Sequence, residues 1–176
     1  LIVFPLLLIA QEKDEKSVDY FEKGKNMIGL NGGFGQSFLS TDIRYGKYIF
    51  NKTAVGIDFG TMVNLNVNGF GADVGPFIRY NFLDRKFSPL IEANYRMGYY
   101  RFGPYNAVDQ VKTSFSEGSV SQLQTGFQWV FLKGLGIDVL VGGRFQSSKT
   151  FNFPEREFNS FKNSSLSGHM RLTFNF

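Results

Sequence analysis

Three observations predict an all-β fold for this 176-residue chain: a closed, up-and-down barrel of eight antiparallel strands. The composition, with 21 Phe, 8 Tyr, 1 Trp and 20 Gly, favours strands and tight turns over helices and is too aromatic for a disordered chain. From Met27 onward, apolar and polar residues alternate with period two in eight successive segments. The links between segments are alternately short and longer, as they are when one end of a barrel carries turns and the other carries loops.

The segments are 27–35, 37–49, 54–66, 70–82, 87–102, 118–131, 135–149 and 164–176. In the last, Leu166, Gly168, Met170, Leu172, Phe174 and Phe176 share one face, and Ser167, His169, Arg171, Thr173 and Asn175 share the other. The third sets Val55, Ile57, Phe59 and Val63 against Asp58 and Asn64, and the fourth sets Val74, Ile78 and Tyr80 against Asp73, Arg79 and Asn81. The fifth opposes Ile91, Tyr95 and Met97 to Glu92, Asn94 and Arg96. In the sixth and seventh, Leu123, Phe127, Ile137 and Val141 oppose Gln122, Gln124, Asp138 and Arg144. Leu90 and Leu140 break the rule by falling on the polar face. Short links are expected at Asn51-Lys52, Leu83 to Lys86 and Leu132 to Gly134, with a type I′ turn at Asn68-Gly69. Long loops are expected at 103–117 and 150–163.

Eight amphipathic strands suit either a soluble barrel, apolar inside, or a membrane barrel, apolar outside. The polar face decides between them. It carries Asp42, Asp58, Asp73, Glu92 and Asp138 with Arg44, Arg79, Arg96, Arg144 and Arg171, and no lysine. A wet surface favours the easily hydrated Lys and Glu, whereas arginine beside short carboxylates suits enclosed, bidentate pairing. The lysines fall at strand ends and in connections, and aromatics bracket the apolar band: Tyr80, Phe82, Phe87, Trp129, Phe131, Phe174 and Phe176 at one end, Phe34, Phe70, Tyr99 and Phe145 at the other. The expectation is a transmembrane barrel with a lumenal charge network.

Residues 1–10, Leu-Ile-Val-Phe-Pro-Leu-Leu-Leu-Ile-Ala, read as the remnant of a signal peptide, too short for a spanning helix of about 20 residues. Residues 11–25 mix acids and lysines and read as a charged, solvated N-terminal tail, with the barrel occupying 26–176. Export, and residence in the outer membrane of a Gram-negative bacterium, follow as expectations.

The run Tyr45-Gly46-Lys47-Tyr48-Ile49-Phe50-Asn51-Lys52-Thr53-Ala54-Val55-Gly56, the segment Gly75-Pro76-Phe77-Ile78-Arg79-Tyr80-Asn81-Phe82 and the terminal Phe176 carry a resemblance. Over about 150 residues the chain resembles small eight-stranded outer-membrane proteins of the OmpX and OmpA-barrel type, and more closely the porin-family, PorT-like barrels of Bacteroidetes. The resemblance implies that the terminal aromatic is read by the barrel-insertion machinery. It departs from full-length OmpA proteins in having no peptidoglycan-binding domain after the barrel.

An eight-stranded lumen is only wide enough to be filled by side chains, so the ten charges are expected to pair into a plug; the alternative is a narrow pore. Arg79, Arg96, Arg144 and Arg171 are each expected to touch one of Asp58, Asp73, Glu92 or Asp138. The resemblance also raises lipid-modifying enzymes that pair a histidine with Ser and an acid. His169 lies beside Ser167, with Glu92 or Asp138 as orienting acids, yet nothing marks a nucleophile, and a non-enzyme is expected. The chain has no Cys and one His, so no thiolate or His-rich metal centre is expected, and no cofactor. Gly69-Phe70-Gly71 opens a strand and is no phosphate loop, the sequons at Asn51 and Asn163 carry little, and the pI near 9.3 comes without a basic stripe for nucleic acid. The expected partners are outer-membrane lipid and lipopolysaccharide, with a protein partner engaged through loop aromatics Tyr105, Phe115, Phe151, Phe153, Phe158 and Phe161. An accessory subunit of a larger envelope complex is compatible with that role.

Overall fold

The computed structural model describes residues 19–34, 38–66, 68–107, 110–153 and 157–176; the expected signal remnant 1–10 and the tail residues 11–18 lie outside them. Eight strands follow in order: β1 Asn26–Phe34, β2 Phe38–Phe50, β3 Thr53–Asn64, β4 Gly69–Asn81, β5 Phe87–Ala107, β6 Gln110–Val130, β7 Leu135–Phe153 and β8 Glu157–Asn175. Each pairs antiparallel with the next, and β8 returns to β1, closing an up-and-down barrel.

The alternation sets which side of the wall each residue takes. Ile43, Ile57, Phe59, Val74, Ile78, Met97, Leu123 and Met170 point outward and are exposed, whereas Arg44, Asp58, Arg79, Glu92, Asp138 and Arg171 point inward and are buried. A soluble barrel would show the inverse. A continuous exposed apolar band around a polar, packed lumen is the surface of a barrel that spans a bilayer. Leu90 and Leu140 are fully buried members of the lumenal filling. Aromatic pairs ring the short-turn end: Tyr80–Phe82 with centroids 5.2 Å apart, Trp129–Phe131 at 5.8 Å and Phe174–Phe176 at 5.4 Å. The side chain of Phe34, placed in the opposite girdle, lies outside the described residues.

Lys52 and Gly134 take positive φ in the short turns, at 69° and 80°. The expected two-residue turn at Asn68-Gly69 is corrected: Gly69 already pairs with Asn64 and opens β4, so the link spans residues 65–68, with Asn68 at φ 44°. The larger correction concerns the expected loops at 103–117 and 150–163. Both are mostly strand, for β5 pairs with β6 up to Ala107↔Gln110 and β7 with β8 up to Asn152↔Glu157. Beyond the bilayer the outward face of a strand meets water and no longer lipid, so the alternation of apolar and polar residues that marks the lower half disappears while the ladder continues.

The tail is corrected as well. In its described half, Phe21 is fully buried and packs with Met27, Tyr48, Ala54, Phe77 and Val130 as the lumen's floor. The Tyr20 and Phe21 amides donate to Asp84 Oδ1 at 2.7 and 3.1 Å, and the Lys52 amide donates to the Phe21 carbonyl at 2.7 Å. Acids and lysines dominate the segment, and one Phe and its backbone do the sealing. Phe21→Ala should therefore lower stability by about 3 kcal/mol, the ordinary cost of emptying a buried Phe site. Urea titration in detergent micelles measures it; an unchanged midpoint would show that the floor is ornamental.

Candidate functional site

The chemistry of this barrel is concentrated in its lumen, and strand register supplies it. Arg44 lies directly across from Asp58, Arg79 from Glu92, and Asp138 from Arg171. Inward-pointing residues opposite one another are within side-chain reach, so three ion pairs are fixed by pairing alone.

Glu92 is the hub. Its carboxylate accepts from Arg79 Nε at 3.1 Å and Nη2 at 2.9 Å, and from Arg171 Nη1 and Nη2 at 3.1 and 3.3 Å, while Arg44 also pairs with it. Arg44 forks onto both oxygens of Asp58 and lays its guanidinium over the Phe77 ring, 3.9 Å from the centroid. Arg79 extends to Asp138, 2.5 Å away, which also accepts from Thr173 Oγ1 at 2.7 Å. These six charges, drawn from β2, β3, β4, β5, β7 and β8, bridge the lumen from wall to wall.

A second cluster sits nearer the long-hairpin end. Arg96 Nη1 meets Asp42 at 2.7 Å and Asp73 at 3.1 Å. Asn31 donates to Asp42 at 3.1 Å, and the Tyr100 hydroxyl donates to Asp73 at 2.7 Å. The cluster occupies the space above Gly60, where an added Cβ would stand 2.5 Å from Asp73 Oδ1 and 2.6 Å from Asp42 Oδ1. Amide pairs occupy two further levels: Asn81–Gln128 at 3.2 Å and Asn94–Gln122 at 2.9 Å.

Arg144 departs from expectation. It faces the lumen, but no carboxylate among the described residues pairs with it. Its cross-strand neighbours are Gln122 and Ser165, Asp73 is taken by Arg96 and Tyr100, and Asp138 lies six residues down the same strand, roughly 20 Å away.

His169 forms no catalytic arrangement. Its Nδ1 faces Gln124 Nε2 at 3.2 Å and its Nε2 faces Arg171 Nη2 at 2.9 Å, so neither ring nitrogen meets a serine or an acid. Glu92 is saturated by three arginines, and Ser167 Oγ donates to the Gly142 carbonyl at 3.4 Å. Two lumenal partners go unmarked by sequence reasoning, Asn31 and Tyr100, while Thr173 and Gln124 stand on the polar face where the alternation sets them. All share strand parity with the charges they serve, and that parity is the available signal.

Of the aromatics expected on loops, Phe115 lies in β6 beside Tyr99, with centroids 6.2 Å apart, and Phe151 packs on Phe158 across the β7–β8 ladder at 4.9 Å. Phe153, Phe158 and Phe161 are exposed on the same hairpin. The Tyr105 backbone continues β5, and its side chain lies outside the described residues.

No protein-family model matches the chain, and no curated protein sequence does. Solved structures do. The N-terminal β-barrel domain of Pseudomonas aeruginosa OprF is similar with a TM-score of 0.53 at 12% identity, covering 88% of this chain and 98% of that one. A major outer membrane protein from Thermus thermophilus is similar with a TM-score of 0.54 at 8% identity, covering 88% of this chain and 100% of that one. The chain has the fold of the small outer-membrane β-barrels. The likeness is one of architecture, and the lumen described above is read from this chain's own residues.

Removing one arginine from the hub leaves buried carboxylates uncompensated, so Arg79→Met should destabilise the barrel by about 3–5 kcal/mol. Arg79→Met combined with Asp138→Asn should cost much less than that single change, because the excess charge leaves with its partner. Arg144→Gln should cost less than about 1 kcal/mol, there being no ion pair to break. Urea midpoints read by heat-modifiability on gels rank the three; equal losses for Arg79→Met and the double variant would sink the network reading.

Proposed function

We propose that this protein is a non-enzymatic barrel of the outer membrane of a Gram-negative bacterium, its lumen plugged by the arginine–carboxylate network, its work done by a contact surface on two tall hairpins. The observation that carries the proposal is the height of β5–β8. Strands of 21, 21, 19 and 19 residues are far longer than the bilayer needs. At ~3.3 Å per residue and ~45° tilt, β6 rises roughly 50 Å, about twice an apolar band of ~25 Å.

The surplus forms a four-stranded sheet standing clear of the membrane, and its β7–β8 end displays Phe153, Phe158 and Phe161, of which Phe158 is 76% exposed. Aromatic side chains with few rotamers, held out on a paired ladder, suit recognition of another protein, including the larger assembly of an envelope complex. Below them Arg101, Lys149 and Lys162 are exposed above the apolar band, where the phosphates of lipopolysaccharide would stand. The plug supports the non-pore reading: equal numbers of opposite lumenal charges give no net field to select an ion.

A photo-cross-linking residue at Phe158, used in intact cells, should capture one discrete protein, and the Phe158→Ser/Phe161→Ser double variant should bind it at least tenfold more weakly while keeping its heat-modifiable fold. Planar bilayers containing the pure protein should show no regular conductance steps. Stepwise conductance that changes selectivity on Arg96→Gln would replace this reading with a pore.

A further inference from the structure

The barrel wall is complete only at its short-turn end. β8 pairs with β7 along its whole height, from Leu135↔Phe174 to Asn152↔Glu157, but with β1 only from Met27↔Asn175 to Leu30↔Leu172. Continuing that register would set Asn31 against Arg171, Gly32 against Met170 and Gly33 against His169. All six belong to strands, and none of these pairs forms. β1 meanwhile stays paired to β2 as far as Phe34↔Leu39.

The gap falls within the bilayer's height, since Leu30, Leu166, Met170 and Leu172 beside it belong to the exposed apolar band. Lipid does not tolerate a bare strand edge; unpaired backbone at that depth persists only where it lines a cavity. Such a cavity is present. It has a volume of about 480 Å³ and is lined by Asn31–Gly33 from one edge and Ser167–Arg171 from the other, together with Arg96 and Arg144. Arg44 and Arg96, which also face it, are held by Asp58 and Asp42. Arg144 is not so held, and its Nε is buried with no hydrogen-bond partner. The cavity thus joins an apolar side entrance to an uncompensated guanidinium.

We propose that the parted β1–β8 seam is a lateral portal for an acyl amphiphile with a phosphate or carboxylate head group. The head group enters from the bilayer and forks onto Arg144, and the chain stays in the gap along Met170. Arginine supplies two parallel donors to such a group, and the gap lets the tail remain in hydrocarbon while the head leaves it. The ligand needs both parts: a tailless anion has no reason to use a side entrance, and a neutral lipid gains nothing at Arg144.

The test uses the full chain in phosphatidylcholine vesicles doped with a phosphatidic acid carrying a diazirine close to its head group. Photolysis should label lumenal segments of β5 and β6 around Asn94 and Gln122, and inorganic phosphate should not compete. Arg144→Gln should reduce that labelling about tenfold, the effect of losing one charge-assisted hydrogen bond. The chain contains no Cys, so Gly32→Cys with Met170→Cys offers a single disulfide across the gap. Oxidation should abolish lumenal labelling and reduction should restore it, with the folded band unchanged on gels. If the disulfide does not form, the Arg144→Gln comparison decides alone. Labelling confined to the outer belt, or unaltered by Arg144→Gln or by the closed disulfide, overturns the portal. Competition by inorganic phosphate overturns it in favour of a small-anion site filled from solution.

Discussion

Glu92 is the one residue on which four of the eight strands depend. A carboxylate fully enclosed in a barrel is sustainable only if cations replace its lost hydration, and Glu92 draws Arg44 from β2, Arg79 from β4 and Arg171 from β8 onto its own position in β5. Three cations on one carboxylate would leave an excess of positive charge. Asp58 and Asp138 take it up from β3 and β7, each directly opposite one of those arginines in the ladder. The network balances only when every strand has its correct register, because a one-residue slip would turn the charge outward into hydrocarbon. The lumen is thus both the filling of the barrel and the check on its assembly. This also accounts for arginine where lysine would serve a wet surface: a point charge cannot fork between two carboxylates in different strands.

Much of this is legible in the sequence, and the reason is geometric. Within the bilayer a strand residue has two possible surroundings, lipid or lumen, and Ile57-Asp58-Phe59 or Ile78-Arg79-Tyr80 can be sorted on polarity alone. The partners of Arg44 and Arg79 follow once the hairpin turns set the register. What the sequence conceals is whatever depends on contacts across the barrel or beyond the membrane. Arg144 has the parity and chemistry of its four fellows, and only the occupied state of Asp73 and the distance to Asp138 leave it without a partner. Phe21 is hidden among acids and lysines because its burial comes from folding back beneath the barrel, which no local pattern records.

The upper halves of β5–β8 are the clearest case of a signal lost for physical cause. Ser114, Ser116 and Ser119 lie with Glu117 and Lys149 in a paired ladder that looks like loop, because its outward face meets water and need not be apolar, so inward and outward residues are both polar. What holds this sheet up is backbone hydrogen bonding between hairpin neighbours, with Tyr99–Phe115 and Phe151–Phe158 as aromatic ties. It stands on a base whose order comes from ion pairs and lipid exclusion. The two zones therefore obey different rules: substitutions in the lower zone act through charge balance and packing, those in the upper zone act mainly on what the surface meets.

The two zones meet at the β1–β8 seam, where the constraint changes hands. This pairing is the most distant in sequence, so its closure carries the largest entropic cost of any in the ladder. β1, at nine residues, is also too short to follow the 19-residue β8 upward. What closes the base is partly the exchange of bonds between Asn26 and Phe176, at 2.7 and 3.0 Å. The rest is Arg171, whose side chain crosses directly over Gly29, where a Cβ would stand 2.6 Å from its Cδ, on its way to Glu92 and Asp138. The pairing ends at Leu30↔Leu172, immediately below Arg171. The residue that ties β8 into the hub is therefore also the sill of the gap. The seam can part without unravelling the barrel because its lower edge is anchored to the far wall through Glu92, not to β1 alone.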